Sequence, residues 1–301
     1  MIQTDPLLLT ALPRRTLLAA TSSIVLGSAV ALASRSLAAA EPDFKAIRAR
    51  IGGSLGVHAL DTETGRRVGY DDSSLFAMAS TFKLPLAAAV LVQVDRGQLE
   101  LDQTVPIHEK DMVNYAPVTS THVAQGSITL RELLAAIVEV SDNPAANLLL
   151  DLIGGPQGFT EFVRGLGDRI TRLDRFEPEL NTNLSADLRD TTTARAMVDD
   201  MAQFLTGPVL SDASRALLIG WLVGARTGLA RIRAGLPSDW KAGDKSGSGA
   251  NGAINDVAIA WPPGRKPILI AIYLSGSSHT VDSLSAAHAE IATAIARTMM
   301  G

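Results

Sequence analysis

The chain has 301 residues, with 27 Lys and Arg against 31 Asp and Glu, a formal net charge of −4, and no cysteine. The acidic balance disfavours a nucleic-acid partner. Without cysteine there is no disulfide framework, thiolate site or lipid-modified cysteine, so stability must come from packing in a chain long enough for a large core.

Residues 1–40 read as a targeting segment. Arg14-Arg15-Thr16-Leu17-Leu18 precedes an apolar run to about Ala33, and Ala38-Ala39-Ala40 offers small residues for cleavage before Glu41. The pattern resembles a twin-arginine signal peptide, which implies a periplasmic protein. Thr21, Ser22, Ser23, Gly27 and Ser28 make the run a poor membrane span, so no stable membrane anchor is expected.

Beyond this segment, a short helix is predicted over residues 44–51. Residues 55–61 and 66–70, joined by Thr62-Glu63-Thr64-Gly65, form a hairpin pattern with a Gly-bearing turn. Apolar spacing then predicts helices over 87–94, 130–140, 145–153, 159–166, 194–204 and 216–223. Strands return at 240–245, 254–261 and 268–274, and 283–299 is an alanine-rich helix. This order predicts an α+β fold of the α/β sandwich type. An antiparallel sheet with flanking helices is built from both chain ends (41–71 and 223–301), and an all-α domain (72–222) is inserted between them. The active site is expected in the interdomain cleft.

Three short strings carry the chemistry: Ser80-Thr81-Phe82-Lys83, Ser141-Asp142-Asn143 and Lys245-Ser246-Gly247. On a helix Ser80 and Lys83 share a face, so the lysine nitrogen reaches the hydroxyl and can activate it. Ser141 and Lys245 can relay a proton to a leaving nitrogen, while Asn143 and Ser246 can hydrogen-bond an amide and a carboxylate. Ser-x-x-Lys alone carries little weight, since Ser238-Asp239-Trp240-Lys241 also fits and reads as a solvated turn before a strand. The weight lies in the combination and its order. His58, His108, His122, His279 and His288 lack metal-ligand spacing, and no phosphate-binding loop is present, so no cofactor is expected.

Penicillin-binding proteins and class A β-lactamases share these three strings. The segment Arg172-Leu173-Asp174-Arg175-Phe176-Glu177-Pro178-Glu179-Leu180-Asn181, followed by Arg189-Asp190-Thr191-Thr192, resembles the omega loop (about 172–190) of class A serine β-lactamases, and the resemblance runs from about Phe44 to the C-terminus. It implies hydrolysis of penicillins, and of cephalosporins, through an acyl-enzyme on Ser80, giving antibiotic resistance. In that reading the N–H groups of Ser80 and Ser248 form the oxyanion hole, Ser141 protonates the leaving nitrogen, and Glu177 with Asn181 holds the deacylating water. Either Lys83 or Glu177 deprotonates Ser80. An Arg175–Asp190 ion pair closes the loop, and a cis Glu177-Pro178 bond is implied.

Lys245, Ser246, Gly247, Ser248 and Asn143 are expected to line the substrate, with Tyr115 on the cleft rim. Ile254 stands where many family members carry a carboxylate-binding arginine. Arg231 matches a subgroup that presents its arginine from the Gly228–Arg233 segment, and its loss is expected to leave stability nearly unchanged. Arg226 and Arg233 read as surface charges, and Asp142 as a buried support for its loop. The partner is a small β-lactam molecule, and a monomer is expected. Two rival readings remain: a penicillin-interacting D,D-peptidase and a catalytically silent cell-wall-binding relative.

Overall fold

The computed structural model describes residues 43–301; the targeting segment predicted over 1–40 lies outside the described residues. In chain order the elements are α1 (Phe44–Ile51), β1 (Ser54–Asp61), β2 (Arg67–Tyr70), β3 (Phe76–Ala77), α2 (Lys83–Asp95), β4 (Thr104–Pro106), β5 (Ser127–Thr129), α3 (Leu130–Ala135), α4 (Asn143–Leu152) and α5 (Gly155–Gly165). They continue with β6 (Thr191–Thr192), α6 (Ala194–Met201), α7 (Asp212–Gly224), α8 (Ile232–Gly235), β7 (Lys241–Ser248), β8 (Ile254–Trp261), β9 (Ile268–Ser275) and α9 (Val281–Met300).

The main sheet is antiparallel, in the order β2-β1-β9-β8-β7, so strands from the two chain ends meet where β1 pairs with β9. Strands β1, β8 and β9 are buried on both faces, and their side chains divide with a period of two. In β9, Ile268, Ile270, Ile272 and Leu274 join a core with α1 and α9, whereas Leu269, Ala271 and Tyr273 join the larger core with α2, α4 and α6. Each fully buried Leu or Ile contributes about 1.5–3 kcal/mol relative to exposure. The α+β class is therefore the observed one.

Polar residues fix the helix starts. Asp43, Thr129, Asp142, Thr193, Ser211 and Thr280 each accept a first-turn N–H with a side-chain oxygen. Two predicted helices change character at their ends: α3 passes into wider π-type turns over Ala136–Val140, and α6 does so over Ala202–Thr206. The small ribbons β3·β6 and β4·β5 were not anticipated, because two- and three-residue strands carry no readable alternation.

Candidate active site

The first string ends in a tight turn. Residues Ala79–Phe82 form a 3₁₀ turn that runs into α2 at Lys83, and Ala79, fully buried, has φ 43°, a conformation unfavourable for a residue with a Cβ. Strained backbone of this kind is kept only where its surroundings determine it. The edge strand β7 runs close beside the turn. A Cβ on Gly247 would lie 2.9 Å from Met78 O and 3.1 Å from Thr81 N, so glycine is what allows Ser246 and Ser248 to come up against Ser80.

The second string joins two helices. The π-type turns end at Ser141 with φ 65°, and Asp142 caps α4, so Asn143 opens that helix. Asp142 is fully buried and also accepts from the N–H groups of Val118 and Thr119, each at 2.9 Å. It supports the loop, as expected.

The structure brings the predicted residues together around one cleft of about 420 Å³. Ser80, Tyr115, Ser141, Asn143, Asn181, Arg231, Ser246 and Ser248 line it, joined by Asn114, Pro178 and Thr227. Lys83, Glu177, Lys245 and Gly247 lie behind that surface, with both lysines fully buried. Lys83 Nζ sits 3.1 Å from Ser80 Oγ, 2.6 Å from Asn143 Oδ1, 3.4 Å from Ser141 Oγ and 2.9 Å from Glu177 Oε1. Lys245 Nζ donates to Ser141 Oγ at 3.1 Å and to Ser246 O at 2.7 Å. One chain of polar atoms thus links Ser80, Lys83, Ser141 and Lys245.

Burial governs the charges. It lowers the Lys83 pKa below the usual 10.5, against the raising influence of the Glu177 carboxylate. Lys245 is lowered to about 7, first by burial and then by the neighbouring positive charge of Lys83. Both amines are accordingly easier to deprotonate than a surface lysine.

The loop that carries Glu177 is pinned at several points. Arg175 Nε donates to Asp190 Oδ2 at 2.6 Å, and the N–H groups of Asp174 and Arg175 donate to Asp190 Oδ1 at 2.7 and 3.0 Å. Asn147, one turn after Asn143 on α4, holds Glu177 by both backbone groups: its Oδ1 accepts from Glu177 N, and its Nδ2 donates to Glu177 O, each at 2.9 Å. The Glu177-Pro178 bond is cis. Asn181 Nδ2 donates to Glu177 Oε2, and Asn181 Oδ1 is buried with no donor among the described residues.

Arg231 differs in part from expectation. It lines the cleft but is only 6% exposed: Nη1 donates to Gly247 O at 2.9 Å and Asn255 O at 2.6 Å, and Nη2 to Ser248 Oγ at 2.7 Å. A side chain so placed is positioned to brace β7, which argues against the expectation that its removal leaves stability nearly unchanged. Arg233 is likewise no surface charge. It pairs with the fully buried Asp244 and donates to Val223 O at 3.1 Å. Nothing near Arg233 in the sequence marks the carboxylate beneath it. Tyr115, at φ 62° and 57% exposed, does stand on the cleft rim.

Sequence reasoning missed Asn114, Asn147 and Thr227. Thr227 Oγ1 accepts from Ser246 Oγ at 2.7 Å, and Asn114 O accepts from Asn143 Nδ2 at 3.0 Å. Only Asn147 left a partial signal: it falls on the helix predicted over 145–153, four residues after Asn143, and α4 in fact begins at Asn143, so the two share a face.

A two-core α+β protein with a buried Lys–Ser–Lys chain under a cleft serine defines a serine acyl-transfer class, and comparison with known proteins narrows it. The model of the Beta-lactamase enzyme family matches residues 39–299. Beta-lactamase AST-1 of Nocardia asteroides is 46% identical over 253 residues, 84% of this chain and 81% of that protein. Beta-lactamase CTX-M-8 of Citrobacter amalonaticus is 42% identical over 274 residues, covering 90% and 93%. Among solved structures, the last common ancestor of Gram-negative bacteria (GNCA4) beta-lactamase class A is 50% identical with a TM-score of 0.82, covering 83% of this chain and 95% of that one. The chain belongs to the beta-lactamase enzyme family, alongside class A members.

Proposed function

We propose that the protein opens the β-lactam ring by acylating Ser80 and completes turnover with a water held by Glu177 and Asn181. That the reaction is β-lactam hydrolysis, conferring resistance, follows from the family; the assignment of roles is our reading. The observation that carries it is the position of Lys83 Nζ, 3.1 Å from Ser80 Oγ and 2.9 Å from Glu177 Oε1. The lysine, its pKa lowered by burial, or Glu177 through a water, accepts the Ser80 proton as Oγ bonds to the carbonyl carbon. The N–H groups of Ser80 and Ser248 take the oxyanion. As the C–N bond breaks, Ser141 gives its proton to the ring nitrogen and is reprotonated through the amines beside it. Water bound to the Glu177 carboxylate and the free Asn181 amide oxygen then attacks the ester.

Steady-state nitrocefin turnover tests this reading: many cycles per molecule are expected. A single stoichiometric burst would mark a peptidase-like acceptor, and no reaction a silent binder. The substrate carboxylate falls to Arg231, Ser246 and Ser248. Arg231→Ala is expected to lower kcat/KM for benzylpenicillin ten- to hundredfold, the loss of a charge-assisted hydrogen bond of roughly 1.5–3 kcal/mol. Because its donors also hold two backbone carbonyls, thermal unfolding should show a stability loss of about 1–3 kcal/mol as well. A kinetic loss with unchanged Tm would contradict the bracing role.

Ser248→Ala isolates the hydroxyl from the backbone N–H. A neutral hydrogen bond is worth about 0.5–1.5 kcal/mol, so a several-fold loss is expected, larger for cefotaxime than for benzylpenicillin. Equal losses would leave Ser248 acting through its backbone alone. We further propose that residues 1–40 direct export to the periplasm and that the mature protein is a monomer. Arg14→Lys with Arg15→Lys should hold the enzyme in the cytoplasm if the guanidinium pair is read; unchanged periplasmic activity would indicate the general secretory route.

A further inference from the structure

A second cavity, about 400 Å³, lies between α6 and the loop after α5 and shares no lining residue with the Ser80 cleft. Leu166, Asp168 and Ile170 line it from the loop, and Thr193, Asp199 and Asp200 from the start and body of α6. Asp200 is 2% exposed, and its Oδ2 is buried with no hydrogen-bond partner among the described residues. That oxygen has lost its water without gaining a donor, which is costly, and the carboxyl otherwise meets the Asp168 side chain, with which it can share a proton.

The nearby cations are committed elsewhere. Arg195 Nη2 donates to the Asp72 oxygens at 3.0 and 2.8 Å, Arg67 pairs with Asp199 at 2.7 Å, and Arg164 Nη1 donates to the carbonyls of Asp168 and Thr171, each at 2.7 Å. Arg169 stands on the exposed rim. The carboxylate of Asp168 accepts from Ile170 N at 2.6 Å and Thr171 N at 3.1 Å, which fixes it beside the cavity. Tyr273 of β9 faces Asp200 from the sheet and brings no positive charge. Burial, then the negative charge of Asp168, pushes the Asp200 carboxyl up to about 9, so at neutral pH it holds a proton where a cation would otherwise sit.

We propose that this cavity binds a small organic ammonium ion, its N–H donors taken by the Asp200 and Asp168 carboxylates and its alkyl body lying against Leu166 and Ile170. Binding requires the Asp200 carboxylate, so the carboxylic acid releases its proton to solvent as the ammonium enters. The cavity's polar floor and apolar wall both take part.

The test is calorimetric titration of the full chain with n-butylammonium chloride in buffers of different ionisation enthalpy. Saturable binding with release of about one proton is expected. Affinity should tighten by about tenfold per pH unit until about 9, where Asp200 ionises unaided. Tetramethylammonium, which has no N–H, should bind at least about tenfold more weakly. Asp200→Asn should abolish both binding and proton release while circular dichroism remains native; Asp168→Asn serves if that variant does not fold. No saturable heat in the wild type, a pH-independent affinity, equal binding of tetramethylammonium, or undiminished binding by the folded variant overturns the proposal. None of these readouts uses β-lactam turnover.

Discussion

Glu177→Ala is expected to acylate and then stall. The carboxylate it removes is fully buried at its side chain, 2.9 Å from Lys83 Nζ and hydrogen-bonded to Asn181, so no neighbouring acid can take over the water. Loss of a positioned general base costs on the order of 10²–10⁴ in rate. Intact-protein mass spectrometry after mixing with benzylpenicillin should show the added mass persisting on Ser80, and normal multiple turnover would sink the assignment. The rate at which that mass appears carries further information. Lys83 retains its contacts with Ser80 and Asn143 in the variant, so acylation near the wild-type rate would make the lysine amine the acceptor of the Ser80 proton. Strongly slowed acylation would give that role to Glu177 acting through water. Removing the carboxylate also leaves Lys83 buried without its counter-charge, and the lysine should answer by losing its proton more readily.

Much of this site was readable because its parts are local. Ser80 and Lys83 fall three residues apart across a helix start, and Ser141-Asp142-Asn143 is a helix junction whose middle residue caps α4. Strands buried on both faces, such as Ile268–Ser275, announced themselves as continuous apolar runs. What escaped is set by contacts between distant segments. Arg233 was read as exposed because nothing near it in sequence shows Asp244 below, and a Cβ at Gly228 would lie 1.8 Å from that carboxylate. Thr227 meets Ser246 only because α7 and the loop after it lie alongside β7. Arg231 was found as a cleft residue, but its bracing of Gly247 and Asn255 depends on the β7–β8 register, which pairs those two residues. The π-type turns before Ser141 also leave no sequence mark, since their apolar spacing matches an ordinary helix.

Lys245→Met should be the most damaging change on the β7 side of the cleft, and its effect should depend on pH. Lys245 donates to Ser141 Oγ, and we propose that its buried charge also favours the substrate carboxylate bound at the neighbouring Ser246. Two charge-assisted interactions of roughly 1.5–3 kcal/mol each are lost, so kcat/KM should fall on the order of 10²–10⁴-fold. In the wild type the ammonium form is the competent one. Because its pKa is lowered to about 7, kcat/KM should decline as pH rises through that value. Lys245→Arg keeps the charge, since a guanidinium stays protonated, and should carry whatever activity it retains to higher pH. Stability moves the other way. The folded pKa lies below the free value of 10.5, so between about 7 and 10.5 the unfolded chain binds the proton more tightly, and the wild type gains stability as pH rises across that window. Lys245→Met lacks this dependence. Compared by thermal unfolding, the variant should therefore stand best relative to the wild type below pH 7 and lose ground steadily above it. A Tm difference that stays flat with pH, or an alkaline limb of kcat/KM that is unmoved in Lys245→Arg, would assign that titration to another group.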